Sequence, residues 1–129
     1  MRKAEQIKPN VLGMQVPTID VATFLTMLED NPRLAVLDVR ELDEVARAAL
    51  PIGTVYHYPM SVWEKKGLAG LPEPLQDRSK PLVVMCHHGQ RSAFATLILH
   101  LQGWEKVVNL QGGIDRVALE TNLNIPRYL

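Results

Sequence analysis

Along the chain, stretches with the apolar spacing of a helix alternate with short, continuous apolar runs that are typical of buried strands. In the first helix-like stretch, apolar residues stand at positions 21, 24, 25 and 28, after the capping residues Thr18 and Asp20 and before Asn31-Pro32. Further helices are predicted at residues 41–49, 92–102 and about 114–121. Strands are predicted at residues 34–37, 54–58, 81–85 and 106–110. This alternation predicts an α/β domain with a mostly parallel sheet.

The stretch 92–102 shows the clearest helical periodicity. Phe94, Leu97, Ile98 and Leu101 fall on one side of it, which is therefore the predicted apolar face. Gly103 follows at the position where glycine often ends a helix in the left-handed conformation.

Residues that could bind a ligand or take part in catalysis follow the predicted strands. In a parallel sheet, ligands bind beyond the carboxyl ends of the strands. The segments at those ends are Asp38–Arg40, Pro59–Met60, Cys86–Arg91 and Gln111–Gly113. We therefore expect these four segments to lie along one edge of the sheet.

Composition narrows the function classes. The 129 residues are about the length of one domain, and 14 Lys and Arg balance 14 Asp and Glu, so the total charge favours neither nucleic acid nor an anionic membrane as a partner. No apolar stretch has the roughly 18–20 residues of a membrane span, and none follows the charged start as in a secretory signal. A single cysteine suits a reducing compartment, so we expect a cytoplasmic protein.

The segment VVMCHHGQRS, residues 83–92, runs from a predicted strand through a turn into a predicted helix, with Cys86 at the strand end. Gly89 can adopt backbone angles that other residues avoid, and Ser92 suits the helix N-cap or the position beside it. The backbone N–H groups of residues 87–91 are therefore expected to curl around the Cys86 sulfur.

Positive charge around this turn favours the thiolate form of Cys86. The helix N-terminus supplies partial charge, Arg91 supplies a full charge, and His87 and His88 add charge when they are protonated. The turn thus predicts a nucleophilic cysteine in an anion-binding loop. The alternative is a buried cysteine that only fills space.

Three motifs resemble those of single-domain rhodaneses and follow one another along the chain in the family's order and spacing, and the resemblance covers nearly the whole chain. CHHGQRS, residues 86–92, is similar to the active-site loop of that family. LDVRELDE, residues 37–44, is similar to its strand-end motif, and NLQGGID, residues 109–115, to its NLxGGxxxW segment. The ending PRY, residues 126–128, matches a bacterial subgroup that also has CHHG.

The resemblance implies a three-layer domain with a five-stranded, mostly parallel sheet and helices on both faces. It also implies a sulfurtransferase in which Cys86 attacks the outer sulfur of a small anionic donor such as thiosulfate, releases sulfite and holds the sulfur as a persulfide. The loop amides would stabilise the persulfide charge, and Arg91 would attract the donor. The acceptor would be cyanide or a thiol, including a protein thiol, and no metal or organic cofactor is implied. The predicted site comprises Cys86 as nucleophile and the loop residues His87, His88, Gly89, Gln90, Arg91 and Ser92.

Two other functions stay open. In phosphatases and arsenate reductases of this fold, five residues separate the cysteine from the arginine, whereas four, His87–Gln90, separate Cys86 from Arg91. The shorter loop suits a single sulfur atom and speaks against oxyanion chemistry. A persulfide carrier or docking module, which receives sulfur from a partner protein and has negligible thiosulfate activity, needs the same loop and is not separated by the sequence.

The chain departs from the family pattern at two places. The family segment GHIPGA is here Ala48–Gly53, which keeps the proline but neither the first glycine nor the histidine. Val117 stands close to where the family has a tryptophan, so we expect a smaller side chain in the core there.

Asp38 and Arg40 follow a predicted strand on the same edge, so they are candidates to support the loop. The interpretation we favour is a structural ion pair or a helix cap for residues 41–49. A zinc site made by Cys86 and its neighbouring histidines is disfavoured, because adjacent residues in a tight turn rarely face one ion.

We expect residues 1–129 to form one domain, with a lead-in arm at residues 1–13 and a tail at residues 122–129. The apolar residues near the arm could pack on the domain itself or on a neighbouring molecule. These residues are Val11, Leu12, Met14 and Val16.

Overall fold

The computed structural model describes residues 10–129, so most of the predicted lead-in arm lies outside the described residues. The strands are β1 (Asn10–Val11), β2 (Met14–Gln15), β3 (Thr18–Ile19), β4 (Ala35–Asp38), β5 (Thr54–His57), β6 (Leu82–Met85) and β7 (Val107–Leu110). The helices are α1 (Val21–Asp30), α2 (Leu42–Arg47), α3 (Met60–Lys66), α4 (Gln90–Leu101) and α5 (Gly113–Glu120), with 3₁₀ turns at Gly67–Gly70 and Glu73–Gln76. Among residues 10–129, no helix is long and apolar enough to cross a membrane.

Five strands form one parallel sheet in the order β3-β7-β6-β4-β5. In its centre, Asp38 at the end of β4 pairs in register with His57 on one side and Met85 on the other. The predicted α/β fold with a five-stranded parallel sheet is therefore confirmed. The pattern missed β3, because two residues are too few to show a period; Thr18 lies in this strand, while Asp20 caps α1 by accepting a hydrogen bond from the Thr23 amide at 2.8 Å.

Helices cover both faces of the sheet. Side chains of α1 and α5 pack on one face in a core that includes Phe24, Val36 and Val117, so Val117 is buried as expected. Side chains of α4 and of α3, including Trp63, pack on the other face, together with Trp104. The three inner strands, β7, β6 and β4, are mostly apolar because most of their residues are enclosed between these layers.

The predicted apolar face of α4 is only half right, since Leu97 is buried and Ile98 packs against the core, but the other two members are exposed. Phe94 and Leu101 are 37% and 57% exposed, whereas the buried side chains include Ala93, Ala95 and Leu99. Ala95 and Leu99 face the sheet, while Ala93 packs on the other side against Val16, next to the β1–β2 hairpin. Because α4 packs on two sides, partly through its own small alanine side chains, a pattern of large apolar residues does not locate all of its buried surface. Its end is as predicted: Gly103 has φ +101° and its amide bonds to the His100 carbonyl.

The segments beyond the strands meet at one edge of the sheet, as predicted. The Val39 amide bonds to the Met85 carbonyl at 3.0 Å, and the Met60 amide bonds to the Val39 carbonyl at 3.1 Å. On the other side, the Ile114 amide bonds to the Cys86 carbonyl at 2.9 Å. Backbone hydrogen bonds between segments that are distant in sequence thus connect this edge.

Candidate active site

Cys86 directly follows β6 and is buried, and the chain then turns through residues 87–89 into α4. Gly89 is the N-cap of α4 and has φ +98°, a conformation that L side chains rarely adopt. A Cβ atom there would also lie 3.0 Å from the Gly112 nitrogen. The loop therefore requires glycine at this position for both backbone angle and space.

The Cys86 sulfur accepts two backbone hydrogen bonds. The Gly89 amide donates to Sγ at 3.1 Å and the Ser92 amide at 3.4 Å. Because α4 begins at Gln90, Ser92 lies inside its first turn and not at the cap, and its amide is one residue beyond the predicted range of 87–91. The sulfur thus faces the free N–H groups at a helix start, where negative charge is stabilised.

Asn109, near the end of β7, fixes the Ser92 hydroxyl that lies beside the sulfur. The Ser92 hydroxyl lies 3.3 Å from Sγ and donates to Asn109 Oδ1 at 2.5 Å. Asn109 Nδ2 in turn donates to the Gly89 carbonyl at 3.3 Å. Since the Ser92 proton is given to Asn109, Ser92 Oγ presents a lone pair to the Cys86 thiol. The sequence motif contained Asn109, but nothing local indicated this contact.

The start of α5 holds the loop through backbone hydrogen bonds to its carbonyl groups. The Asp115 amide donates to the His87 carbonyl at 3.2 Å, beside the bond from Ile114 to Cys86. Gly113 has φ +62°, and a Cβ atom at this position would collide with the carbonyl groups of Cys86 and His87. The Gly112-Gly113 pair therefore forms a tight strand-to-helix turn next to the active loop.

Arg91 is paired with Glu44 of α2. Arg91 Nη1 and Nη2 donate to the two carboxylate oxygens at 2.6 and 2.8 Å, with the Arg91 side chain 38% exposed and Glu44 17% exposed. The hydrogen bonds from Arg91 lower the pKa of Glu44 to about 2, and Glu44 raises the pKa of Arg91. Sequence reasoning quoted Glu44 in a motif but gave it no role in the site.

Acid unfolding offers a test of this ion pair. The Glu44 carboxyl has a folded pKa of about 2, below its ordinary value of 4.5, so its ionised form stabilises the fold above about pH 4.5 and this contribution is lost as pH falls toward 2. Glu44→Gln is expected to lower the free energy of unfolding by about 1–3 kcal/mol at neutral pH and by roughly half as much or less near pH 3. Urea unfolding at both pH values measures this. Glu120→Gln, which removes an exposed carboxylate paired with Arg116, is the control; equal losses for Glu44→Gln at both pH values would contradict the expectation.

Asp38 and Arg40 form a buried ion pair with Nη2 to Oδ2 at 2.7 Å. Neither side chain lines the cleft over Cys86. Arg40 Nη1 donates to the Glu44 carbonyl at 3.3 Å and to the Tyr128 hydroxyl at 3.2 Å. The pair therefore anchors the residues that hold Arg91, which agrees with the structural interpretation.

The C-terminal tail returns to the site. The Tyr128 ring stacks on the His87 ring with centroids 3.8 Å apart and planes at 11°. The Tyr128 hydroxyl donates to Glu44 Oε1 at 3.2 Å and accepts from Arg40. Tyr128 thus links both ion pairs to the loop. The prediction of a tail at residues 122–129 did not include this role.

The two loop histidines differ. His87 is buried, its Nε2 has no hydrogen-bond partner, and burial together with the neighbouring His88 lowers its pKa. His88 is 60% exposed, and its Nε2 lies 3.7 Å from Asp115, which also binds Arg127 at 2.8 Å. At neutral pH the loop therefore receives no charge from His87.

His87, His88 and Asp115 have ligand atoms within 4.8 Å of one another, the spacing of a possible metal site. However, the two imidazole rings stack at 3.8 Å, so their in-plane nitrogen lone pairs lie in separate planes, and Asp115 is already engaged by Arg127. The Cys86 sulfur is not part of this group. The geometry favours chemistry at sulfur over metal binding.

A cleft of about 90 Å³ opens over the sulfur, lined by Cys86, His87, His88, Gln90 and Arg91. Five of the predicted site residues thus line the cleft, and Gly89 and Ser92 bind the sulfur from inside the fold. Space of this size suits the end of a small donor, and the amide contacts suit a negatively charged sulfur.

The sequence is similar to that of known proteins. Residues 20–120 match the sequence model of a family described as the rhodanese-like domain. A Bacillus subtilis (strain 168) protein described as a sulfurtransferase, YtwF, is 31% identical over 103 residues, which cover 78% of this chain and 89% of YtwF. A second B. subtilis protein, YrkF, described as a sulfur carrier protein, is 30% identical over 99 residues, covering 77% of this chain and 49% of YrkF. The chain therefore spans about half the length of YrkF.

Solved structures show the same fold. A rhodanese-related protein from Thermoplasma volcanium is 26% identical with a TM-score of 0.64, covering 86% of this chain and 98% of that protein. The human single-domain sulfurtransferase TSTD1 is 22% identical with a TM-score of 0.65, covering 82% and 98%. At 22% identity the likeness concerns the fold alone. The resemblance to single-domain rhodaneses is confirmed, while the match to the CHHG subgroup stays a prediction.

Proposed function

Because the chain belongs to the rhodanese-like domain family, whose relatives support a role in sulfur transfer, we propose that Cys86 takes up sulfane sulfur as a persulfide and passes it to a thiophilic acceptor. The observation that carries this proposal is the pair of amide hydrogen bonds, from Gly89 and Ser92, to a buried sulfur at the base of a small cleft. Amides held in this way stabilise the charged sulfur without reorganisation.

The first step is attack of the Cys86 thiolate on the outer sulfur of the donor. With thiosulfate, a Cys86–sulfur bond forms, the sulfur–sulfur bond of the donor breaks, and sulfite leaves with the electron pair. With a thiol persulfide, the leaving group is the thiolate. An acceptor such as cyanide or a thiol then attacks the outer sulfur and returns Cys86 to the thiolate.

The residues around Cys86 have two tasks, which are to bind the sulfur and to hold the loop in place. Gly89 and Ser92 hold the sulfur, with Ser92 fixed by Asn109. The loop carbonyls are held by the start of α5, so the amides keep their direction during both steps. We further propose that the chain works as one domain in the cytoplasm, since a single free thiol suits a reducing compartment.

A persulfide carrier is the second candidate, and the similarity to YrkF favours it. A carrier would receive sulfur from a protein donor or deliver it to a protein acceptor, with little thiosulfate activity of its own. Ready exchange with a persulfidated protein, combined with a poor thiosulfate KM, would support the carrier.

Intact-mass spectrometry tests the shared step. The protein is incubated separately with thiosulfate and with cysteine persulfide, beside Cys86→Ser. We expect a gain of about 32 Da, the mass of one sulfur atom, on the wild type only. The gain must disappear after a thiol acceptor is added. No gain with either donor would overturn the proposal.

A further inference from the structure

We propose that Glu44 is a specificity-determining residue, which directs the site toward thiol persulfides and away from small dianions such as thiosulfate. This inference rests on the proposed function, because it concerns the donor of the same sulfur transfer. It starts from the contacts of Arg91, the residue that the sequence assigned to donor capture.

Arg91 is the permanent cation among the side chains that line the cleft. Both of its terminal nitrogens are occupied by the Glu44 carboxylate, at 2.6 and 2.8 Å. Two parallel hydrogen bonds of this kind form the strong, planar arrangement that arginine makes with carboxylates. A dianion that approaches Arg91 therefore meets a guanidinium whose charge is already balanced.

The Glu44 carboxylate is fixed in place. Its Oε2 accepts a hydrogen bond from the Glu41 amide at 3.0 Å, within the capping box of α2. Its Oε1 accepts one from the Tyr128 hydroxyl at 3.2 Å. Because the backbone of α2 and the C-terminal tail both hold it, Glu44 does not swing aside at low cost to release Arg91 to a donor.

The other charges around the cleft are balanced as well. Asp115 is paired with Arg127 at 2.8 Å and lies 3.7 Å from His88. His87 is buried and its pKa is lowered, so it is neutral at neutral pH. The cleft thus lacks the surplus positive charge that would raise the local concentration of thiosulfate.

A thiol persulfide needs less charge compensation. It carries at most one negative charge, and the sulfur that is transferred can be received by the Gly89 and Ser92 amides. The Cys86 thiolate attacks the terminal sulfur of RS–SH, the sulfur–sulfur bond of the donor breaks, and RS⁻ leaves. The product is Cys86–S–SH, so atoms and charge balance without a further reactant.

Steady-state kinetics with thiosulfate and with cysteine persulfide, at saturating acceptor, test the role of Glu44. In Glu44→Gln we expect kcat/KM for thiosulfate to rise at least about tenfold relative to kcat/KM for the persulfide. This rise should come from a lower KM for thiosulfate. The amide oxygen of the new glutamine side chain can still accept from the Glu41 amide, so the cap of α2 is kept. The double variant Glu44→Gln with Arg91→Ala is expected to lose the gain, since the freed guanidinium causes it.

The control is Glu120→Gln, which removes a carboxylate from an exposed pair with Arg116 and should leave the donor ratio unchanged. An unchanged ratio in folded Glu44→Gln would overturn the inference while leaving the proposed function intact, because the mass gain on Cys86 is measured separately. Persulfidated serum albumin as a third donor shows whether the persulfide comes from a protein or from a small thiol.

Salt dependence of the wild type gives a second readout that needs no variant. A balanced site predicts a thiosulfate KM that changes by less than about threefold between about 0.02 and about 0.5 M salt. A steep rise of KM with salt would show that Arg91 attracts the donor as a free cation, and would overturn the inference even if Glu44→Gln failed to fold.

Discussion

Cys86→Ser is expected to lower sulfur transfer to cyanide or to a thiol by at least about 10³-fold, because a serine oxygen cannot hold sulfur as a persulfide. Cys86 is the only cysteine in the chain, so no second thiol can replace it. The rate of acceptor product formation measures the loss, with both thiosulfate and a persulfide as donors.

The fold should tolerate this change. Serine can accept the hydrogen bonds that the Gly89 and Ser92 amides now donate to Sγ, so we expect the free energy of unfolding to change by no more than about 1 kcal/mol. Cys86→Ala, which leaves both amides without an acceptor, is the comparison for stability. A folded Cys86→Ser protein that kept its transfer rate would mean that sulfur never becomes attached to Cys86.

The sheet edge and the loop are the parts that sequence reasoning could predict. The carboxyl ends of parallel strands must meet, so the position of Cys86 and of Gly112-Gly113 follows from the order of strands and helices alone. The loop is also local: Cys86, Gly89 and Ser92 lie within seven residues, and a strand, a glycine turn and a helix start are enough to bring the amides to the sulfur.

Residues that hold the loop could not be predicted in the same way. Arg91 binds Glu44 across 47 positions, Ser92 binds Asn109 across 17, and Tyr128 binds Glu44 across 84. No periodicity connects such pairs, because each depends on how α2, β7 and the tail are placed around the edge. The expectation that Arg91 attracts the donor considered its charge without its partner Glu44, which only the packed fold reveals.

The error on α4 has a related cause. The rule for helical faces weights large apolar side chains, and Phe94 and Leu101 satisfied it although the structure leaves both of them exposed. Ala95, which faces the sheet, contributes little to such a pattern. The buried side of a helix enclosed by two layers is set by which residues are small enough to fit, a property of the neighbours as much as of the helix.

Gly113→Ala is expected to cause the largest loss of activity among changes outside the cleft. A Cβ atom there collides with the carbonyl groups of Cys86 and His87, and the residue has φ +62°. The start of α5 must then move away, which breaks the hydrogen bonds from the Ile114 and Asp115 amides to the loop. We expect sulfur transfer to fall at least about tenfold and the free energy of unfolding to fall by about 2–4 kcal/mol.

Gly13→Ala separates the collision from the backbone strain. Gly13 also has positive φ, at +77°, but a Cβ atom there has nothing within 4 Å. This control should cost only about 1 kcal/mol and leave sulfur transfer unchanged. Urea unfolding and the rate of persulfide formation, followed by intact mass at a temperature where both variants are folded, give the two quantities. Gly113→Ala could instead match Gly13→Ala in both the free energy of unfolding and the rate of persulfide formation. In that case the direction of the loop amides would not depend on the close approach of α5, and the loop would keep its conformation without this support.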